Sequence, residues 1–115
     1  MFKWNKLTIK AQEAIQRAQE IAENKNHQEI TPEHLLFALI EDKEGVVSSV
    51  LKNLGINREE LINQINSELN RIPQVFGEGI QLYISNNLKK ILQQAAKEAD
   101  TLKDEYISTE HFLLA

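Results

Sequence analysis

The chain has 115 residues, 42% of them hydrophobic, and a formal net charge of −4. This length accommodates one domain with a buried core, and the absence of cysteine excludes a disulfide framework and a thiolate zinc site. Because lysines and glutamates are interspersed without a basic stripe, neither nucleic acid nor an anionic membrane is an expected partner. The amino terminus lacks an apolar core of signal-peptide length, and the longest apolar run, residues 35–40, is shorter than the roughly 20 residues of a membrane span. These features predict a soluble, cytoplasmic protein.

The first two predicted helices each follow a threonine. Thr8 is a typical N-cap, and apolar residues recur after it at helical spacing, which predicts an amphipathic helix that ends near residues 24–26. Thr31 is followed by Pro32 and Glu33, so a capping hydroxyl, a proline at the first helical position and an acid in the first turn coincide. This combination predicts the start of a second helix.

Two shorter helices are predicted next. Apolar residues within Val46–Leu54 indicate a third helix, which Gly55 ends because a glycine readily adopts the left-handed conformation after a helix. Asn57 with Glu60 three residues later resembles a capping box and starts a fourth helix, which must end before Pro73.

The segment Pro73–Tyr83 contains two glycines and shows no helical period, so it predicts a linker, to which we assign residues 73–84. Ser85 then starts a fifth predicted helix, in which apolar residues again recur at helical spacing. Ser108 starts a sixth. The predicted fold class is therefore all-α.

The chain repeats itself at a fixed spacing. Residues 8–38 align without a gap to residues 85–115, so every matched pair is 77 positions apart, and eight of the 31 pairs are identical. Such a fixed period is the signature of a duplicated structural unit. We predict two helical repeats related by a pseudo-twofold axis, with repeat one at residues 8–72 and the start of repeat two at residues 85–115.

The second repeat is predicted to be truncated. A complete unit would contain about four helices by comparison with repeat one, and the counterparts of its third and fourth helices are absent from the sequence. The domain of residues 1–115 is therefore predicted to be incomplete, with an exposed apolar patch near Phe112 and Leu113.

The histidines raise the question of a metal site. His34 and His111 each follow a glutamate at matched positions of the two repeats, and symmetry could bring them together as ligands. A metal site needs further ligands that the sequence does not indicate, so we favour local packing or hydrogen bonding of each imidazole. His27, near the end of the first helix, is expected to be exposed.

No catalytic or nucleotide-binding site is predicted. Glu33 and Glu110 could form a carboxylate pair for acid–base catalysis, but both lie where a helix dipole favours an acid. No serine or threonine has a histidine and an acid arranged beside it as a catalytic site requires. The four glycines form neither a phosphate-binding loop nor a dinucleotide fingerprint. We therefore expect no enzyme activity and no cofactor in this chain.

A groove between the repeats is the remaining candidate site. Two similar helical units meet along a seam, and such a seam offers an apolar cleft with polar edges that suits an extended or helical peptide. The alternative is that the seam is simply core, and the composition does not separate the two.

Several motifs resemble a known family. Residues 31–36, Thr-Pro-Glu-His-Leu-Leu, and residues 108–113, Ser-Thr-Glu-His-Phe-Leu, resemble the paired motifs of the Clp amino-terminal repeat domain. The stretches Leu54-Gly55-Ile56 and Asn70–Val75 most resemble ClpB-type protein disaggregases.

This resemblance implies an all-helical domain that lies ahead of two ATPase modules in a ring-shaped homohexamer. In that family the domain helps to capture unfolded or aggregated polypeptides, and the ring threads them through its pore together with a DnaK-type chaperone system. ATP and magnesium are then expected only in the downstream modules.

The resemblance also implies which residues bind substrate. By motif position these are Thr8, Asp104 and Glu110, with Glu33 as a possible addition. In ClpC relatives the matching glutamates receive phosphorylated arginine, but Pro32 replaces the threonine of their motif, and we do not carry that specificity over. The alternative function is adaptor docking, as in the ClpA and ClpC unfoldases that serve proteases.

Overall fold

The computed structural model describes residues 7–77, 81–101, 106–108 and 112. This part of the chain contains five helices and two strands of two residues each, and the all-α fold class is confirmed. In chain order the elements are α1 (Ile9–Asn24), β1 (Glu29–Ile30), α2 (Pro32–Glu41), α3 (Val46–Asn53), α4 (Arg58–Asn70), β2 (Tyr83–Ile84) and α5 (Asn86–Thr101).

Three predicted helix starts are confirmed by side-chain caps, whereas most of the sixth helix, predicted to start at Ser108, lies outside the described residues. Thr8 Oγ1 accepts a hydrogen bond from the amide of Ala11 at 3.1 Å, and Ser85 Oγ accepts one from the amide of Leu88 at 3.1 Å. Asn57 Oδ1 accepts from the amides of the second and third residues of α4 at 3.0 and 3.3 Å. Each cap satisfies amides that have no partner inside the helix.

The ends of α1 and α3 share one geometry. Asn26 and Gly55 adopt positive φ angles of 59° and 74°, and the residue after each donates its amide back to a carbonyl of the last turn. This is the Schellman motif, in which a left-handed residue reverses the chain and satisfies free carbonyls. The predicted stop at Gly55 is confirmed.

Helix α2 occupies the centre of the domain, where it packs against α1, α3, α4 and α5. Its residue Ile40 is fully buried, as are Leu69 of α4 and, almost completely, Leu88 of α5. The apolar stripe of α1 that the sequence predicts faces this core, and its buried members are Ala11, Ala14, Ile15, Ala18, Ile21 and Ala22.

Two parallel backbone pairings join the halves of the chain. Strand β1 pairs with β2, with Ile30 opposite Ile84, and Leu7 forms an isolated parallel bridge with Ile107. Leu7 and Ile84 are 77 positions apart, and so are Ile30 and Ile107. The 77-residue offset therefore relates the two partners of one pairing to the two partners of the other, as a pseudo-twofold axis requires. They are hereafter called the cross-repeat pairings.

The described part of the linker is attached to the end of α1. The amide of Val75 donates to the carbonyl of Asn26 at 2.8 Å, and the side-chain amide of Gln74 donates to the carbonyl of Lys25 at 3.1 Å. None of the described residues of the predicted linker 73–84 is helical, and its last two residues form β2. The contact of this segment with α1 was not predicted.

The burial of Phe112 contradicts one expectation from the sequence. Phe112 is only 4% exposed and belongs to the same core cluster as Leu7 and Ile107, so the prediction of an exposed patch at this residue is wrong. The backbone pairing of Leu7 with Ile107 brings this part of repeat two against repeat one, which accounts for the burial. Leu113, the other residue of that prediction, lies outside the described residues.

A pair of histidines lies inside the fold. His27 is 4% exposed, so the expectation that it faces solvent is wrong. Its Nδ1 lies 2.8 Å from Nε2 of His34, while Nδ1 of His34 accepts a hydrogen bond from the amide of Thr31 at 2.9 Å. Neutral His34 therefore carries its proton on Nε2 and donates it to His27. The prediction of local hydrogen bonding by His34 is confirmed.

The cap at Ser85 gives a first test of the fold. Because Ser85→Ala removes the acceptor for the first turn of α5, we expect the free energy of unfolding to fall by about 1 kcal/mol in urea titrations. Ser67→Ala, at an exposed position inside α4, is the matched control and should leave the stability nearly unchanged. Equal effects of the two substitutions would contradict a capping role.

The histidine pair predicts a loss of stability in acid. Burial, and to a smaller extent the neighbouring His27, lowers the pKa of His34 to about 4, whereas a histidine of the unfolded chain titrates near pH ~6.5. Between these two pH values the unfolded chain binds a proton that the folded chain does not. The stability that neutral His34 gives the fold is therefore complete above the pKa of the unfolded state, and it is lost as the pH falls towards the pKa of the folded state. Urea titrations should show the free energy of unfolding falling by about 1 kcal/mol per pH unit near pH ~5.5.

The control for this experiment is His34→Gln, which lacks the titrating group. Its unfolding free energy should depend less steeply on pH than that of the parent chain, since both proteins share the same carboxylates. Identical slopes would show that His34 does not carry the effect.

Candidate functional site

A cleft of about 780 Å³ lies between α1, the end of α2 and the start of α3. Hereafter it is called the cleft. Its lining contains both apolar and charged side chains, in this order along the chain: Thr8, Ile9, Lys10, Glu13, Ala14, Arg17, Ala38, Leu39, Glu41, Asp42, Glu44, Gly45, Val46, Val47 and Ser108.

The floor and the mouth of the cleft are apolar. Four buried residues form the floor, namely Ala14, Ala38, Leu39 and Val47. At the mouth, Ile9 is 75% exposed and Val46 is 52% exposed. Each is the first residue of its helix. Exposed apolar side chains beside a concave apolar surface are typical of a site that another molecule covers.

Hydrogen bonds to the end of α2 fix the wall of the cleft. Arg58 of α4 donates from Nε to the carbonyl of Ile40 at 2.8 Å and from Nη2 to that of Glu41 at 3.1 Å. Ser48 of α3 donates its hydroxyl to the carbonyl of Asp42 at 2.6 Å. Because these carbonyls have no partner within α2, the side chains of two other helices satisfy them and hold the turn in place.

The turn from α2 into α3 is close-packed. A Cβ atom at Gly45 would lie 3.0 Å from Oδ2 of Asp42 and 3.3 Å from its carbonyl oxygen, closer than ordinary van der Waals contact. Gly45 is also the N-cap of α3. Its lack of a side chain therefore lets the chain turn directly into Val46 at the mouth.

Two ion pairs span the cleft from α1 to the end of α2. Lys10 Nζ lies 3.6 Å from Oδ2 of Asp42, and Arg17 Nε donates to Oε1 of Glu41 at 2.5 Å. Hydrogen bonding to Glu41 raises the pKa of Arg17 above its usual value. These two contacts, the cross-cleft ion pairs, join α1 to the end of α2.

The sequence-predicted site residues are only partly brought together. Thr8 lines the cleft, whereas Glu33 is exposed at the start of α2 and is not part of the lining. Asp104 and Glu110, like His111, lie outside the described residues.

The position of the cleft differs from the expected inter-repeat seam. Its described lining comes from repeat one except for Ser108, which follows the residue paired with Leu7. The amide of Thr8 donates to the carbonyl of Ile107 at 2.9 Å, so this end of the cleft is also where the repeats meet. Within the described residues, the cleft therefore meets the seam at this end.

The sequence analysis did not predict Ile9 and Val46 as residues of a binding site. A usable signal was present at Ile9, because it directly follows an N-cap and lies off the apolar stripe that α1 turns towards the core. An apolar residue at such a position has no core contact to explain it.

Within the described ranges, no group of three or more histidine, aspartate or glutamate side chains is arranged to hold a metal ion. The helices described here also include none that is long and apolar enough to cross a membrane. Every buried side-chain nitrogen or oxygen atom in this part of the chain has a hydrogen-bond partner.

Comparison with solved structures relates the fold to known N-terminal domains. The Hsp104 N-terminal domain from Candida albicans superposes with a TM-score of 0.85 at 24% identity, covering 94% of this chain and 71% of that one. The N-terminal domain of the ClpV1 ATPase from E. coli gives 0.86 at 24% identity, covering 95% and 66%. A ClpV N-domain in complex with a VipB peptide gives 0.83 at 23% identity, covering 96% and 66%.

Sequence comparison adds the family. Residues 6–115 match the family described as the Clp repeat N-terminal domain. The chaperone protein ClpB of Bdellovibrio bacteriovorus is 39% identical over 95% of this chain, and that of Bacillus anthracis is 40% identical over 96%. The chain spans 13% of the length of each of these relatives. It belongs to the family of Clp repeat N-terminal domains and is similar to those of ClpB chaperones.

Proposed function

We propose that this domain engages substrates for an ATP-dependent, ClpB-type chaperone that disaggregates and remodels unfolded or aggregated proteins. In this proposal the cleft holds exposed apolar segments of those substrates. The observation that carries it is the apolar mouth, where Ile9 and Val46 remain exposed above a buried apolar floor. Exposed apolar side chains that adjoin a concave apolar surface, unlike isolated ones elsewhere on a protein, are typical of a binding site.

The dimensions of the cleft support this role. Ligand sites for small molecules and short segments enclose about 300–1,000 Å³, and the cleft encloses about 780 Å³. Such a cleft accepts a few side chains of an extended segment and not a folded domain. Weak binding suffices if six copies stand on one ring, because linked sites raise the effective concentration of the substrate.

Thr8 supplies a polar contact at the edge of the cleft. Its Oγ1 accepts from the amide of Ala11, which leaves the hydroxyl hydrogen available to donate to a peptide carbonyl. We include Asp104 and Glu110 in the same proposal, on the basis of motif position. Glu33 stands apart from the described cleft lining and would contribute only through a second contact.

The remaining parts of the proposal concern the longer protein. From the ClpB relationship we expect an ATPase ring, a homohexameric state, a DnaK-type partner system and a cytoplasmic location.

The alternative function is adaptor docking, as in ClpA and ClpC unfoldases. The ClpV N-domain binds a VipB peptide, a precedent for a dedicated peptide partner on this fold. The two functions differ in a competition experiment. A dedicated adaptor would bind the same surface, but unrelated unfolded chains would not displace it.

The apolar mouth can be tested by substitution. We expect Ile9→Ser combined with Val46→Ser to weaken binding of a fluorescently labelled unfolded polypeptide by about tenfold in anisotropy titrations, since two apolar contacts are lost. The control is Leu54→Ser combined with Ile56→Ser, because these side chains are also exposed but lie outside the cleft. Equal loss in both proteins would argue against the cleft.

Thr8 can be tested separately from its capping role. Both Thr8→Ala and Ser85→Ala remove a helix cap and should cost about 1 kcal/mol of stability, but only Thr8 lines the cleft. We expect Thr8→Ala alone to weaken polypeptide binding, by about threefold for one lost hydrogen bond. Unchanged binding would remove Thr8 from the proposed site.

A further inference from the structure

Among the described residues, two carboxylates of the cleft lining have no basic partner. The cross-cleft ion pairs account for both basic residues of the lining and for two of its four acidic residues. The other two acidic residues are Glu13 and Glu44, and within the part of the chain that the structure describes neither has a basic partner. The described lining of the cleft therefore has two more acidic than basic side chains.

The positions of these carboxylates relate them to the apolar surface. Glu13 lies on α1 between the two residues that form the cross-cleft ion pairs, three after Lys10 and four before Arg17. This spacing puts all three on one side of the helix. Glu44 lies in the turn that leads into Val46, so it stands beside the apolar mouth. Both glutamates are exposed and keep their charge available to a ligand.

From this arrangement we infer a substrate class. We propose that the cleft prefers unfolded segments in which a lysine or arginine directly flanks apolar residues, with the apolar side chains over the floor and the cation beside Glu13 and Glu44. This inference rests on the proposed function of the cleft. Acidic flanks are disfavoured by the same carboxylates, and the selectivity is modest because exposed ion pairs are individually weak.

The experiment compares labelled peptides that share a central Leu-Val-Phe-Leu segment and differ only in their flanking residues, which are lysine, serine or glutamate. Anisotropy titrations on the 115-residue chain should give an affinity for the lysine-flanked peptide about fivefold higher than for the serine-flanked one. The glutamate-flanked peptide should bind more weakly than both. Added salt should reduce the preference, because exposed charges are screened.

The double substitution Glu13→Gln and Glu44→Gln should bring the ratio of the lysine-flanked to the serine-flanked affinity close to one. Glu23→Gln with Glu60→Gln is the control, since it removes the same charge at exposed positions outside the cleft, and it should preserve the ratio. Circular dichroism of each variant verifies that the helices are intact.

The outcomes separate the two proposals. Equal affinities for all three peptides would overturn the charge preference and leave the proposed function standing. A preference that survives Glu13→Gln and Glu44→Gln would assign it to the overall charge of the chain and overturn the role of these residues. If no peptide binds, the proposed function fails, and this inference fails with it.

Discussion

The cross-repeat pairings set the position of the helices that follow them. Thr8 and Ser85 each donate a backbone amide to the opposite repeat, at 2.9 Å to Ile107 and 3.0 Å to Ile30. The side-chain oxygen of the same residue then caps the next helix. Thr8 thus connects the start of α1 to the opposite repeat, and Ser85 does the same for α5. Because both helices begin at fixed points on the seam, their apolar stripes enter a common core around α2.

The parts of the fold that could be predicted from the sequence have local causes. A cap such as Thr8 or Asn57 acts within three residues, and Gly55 ends α3 through contacts with the preceding turn. Such signals can be recognised in a short stretch of sequence, without knowledge of the rest of the fold. The repeat added long-range information, because a fixed spacing of 77 residues predicts which segments are structurally equivalent.

The errors and omissions involve contacts between distant segments. Strands of two residues are too short to show a period of two, so β1 and β2 could not be predicted. His27 is polar and follows a helix, and only the position of His34 shows why it is buried. The cleft depends on the turn after α2, which Arg58 and other side chains hold from different helices. The composition and the spacing of apolar residues do not show which distant segments come into contact.

The duplication allows the cleft face of α1 to be compared with the matching positions of α5. Most core and capping positions of α1 keep their chemical class in α5, as four pairs illustrate: Thr8 and Ser85, Ile15 and Leu92, Ala18 and Ala95, and Ala22 and Ala99. The exception is buried Ile21, which corresponds to Glu98. The cleft positions diverge instead, since Ile9 corresponds to Asn86 and Glu13 to Lys90. Helix α5 therefore has an amide and an ammonium group at two positions where α1 has an exposed isoleucine and a carboxylate. The matched core residues account for the similar packing of the two helices, whereas Ile9 and Glu13, which have no equivalent in α5, give α1 its exposed apolar and acidic contacts at the cleft.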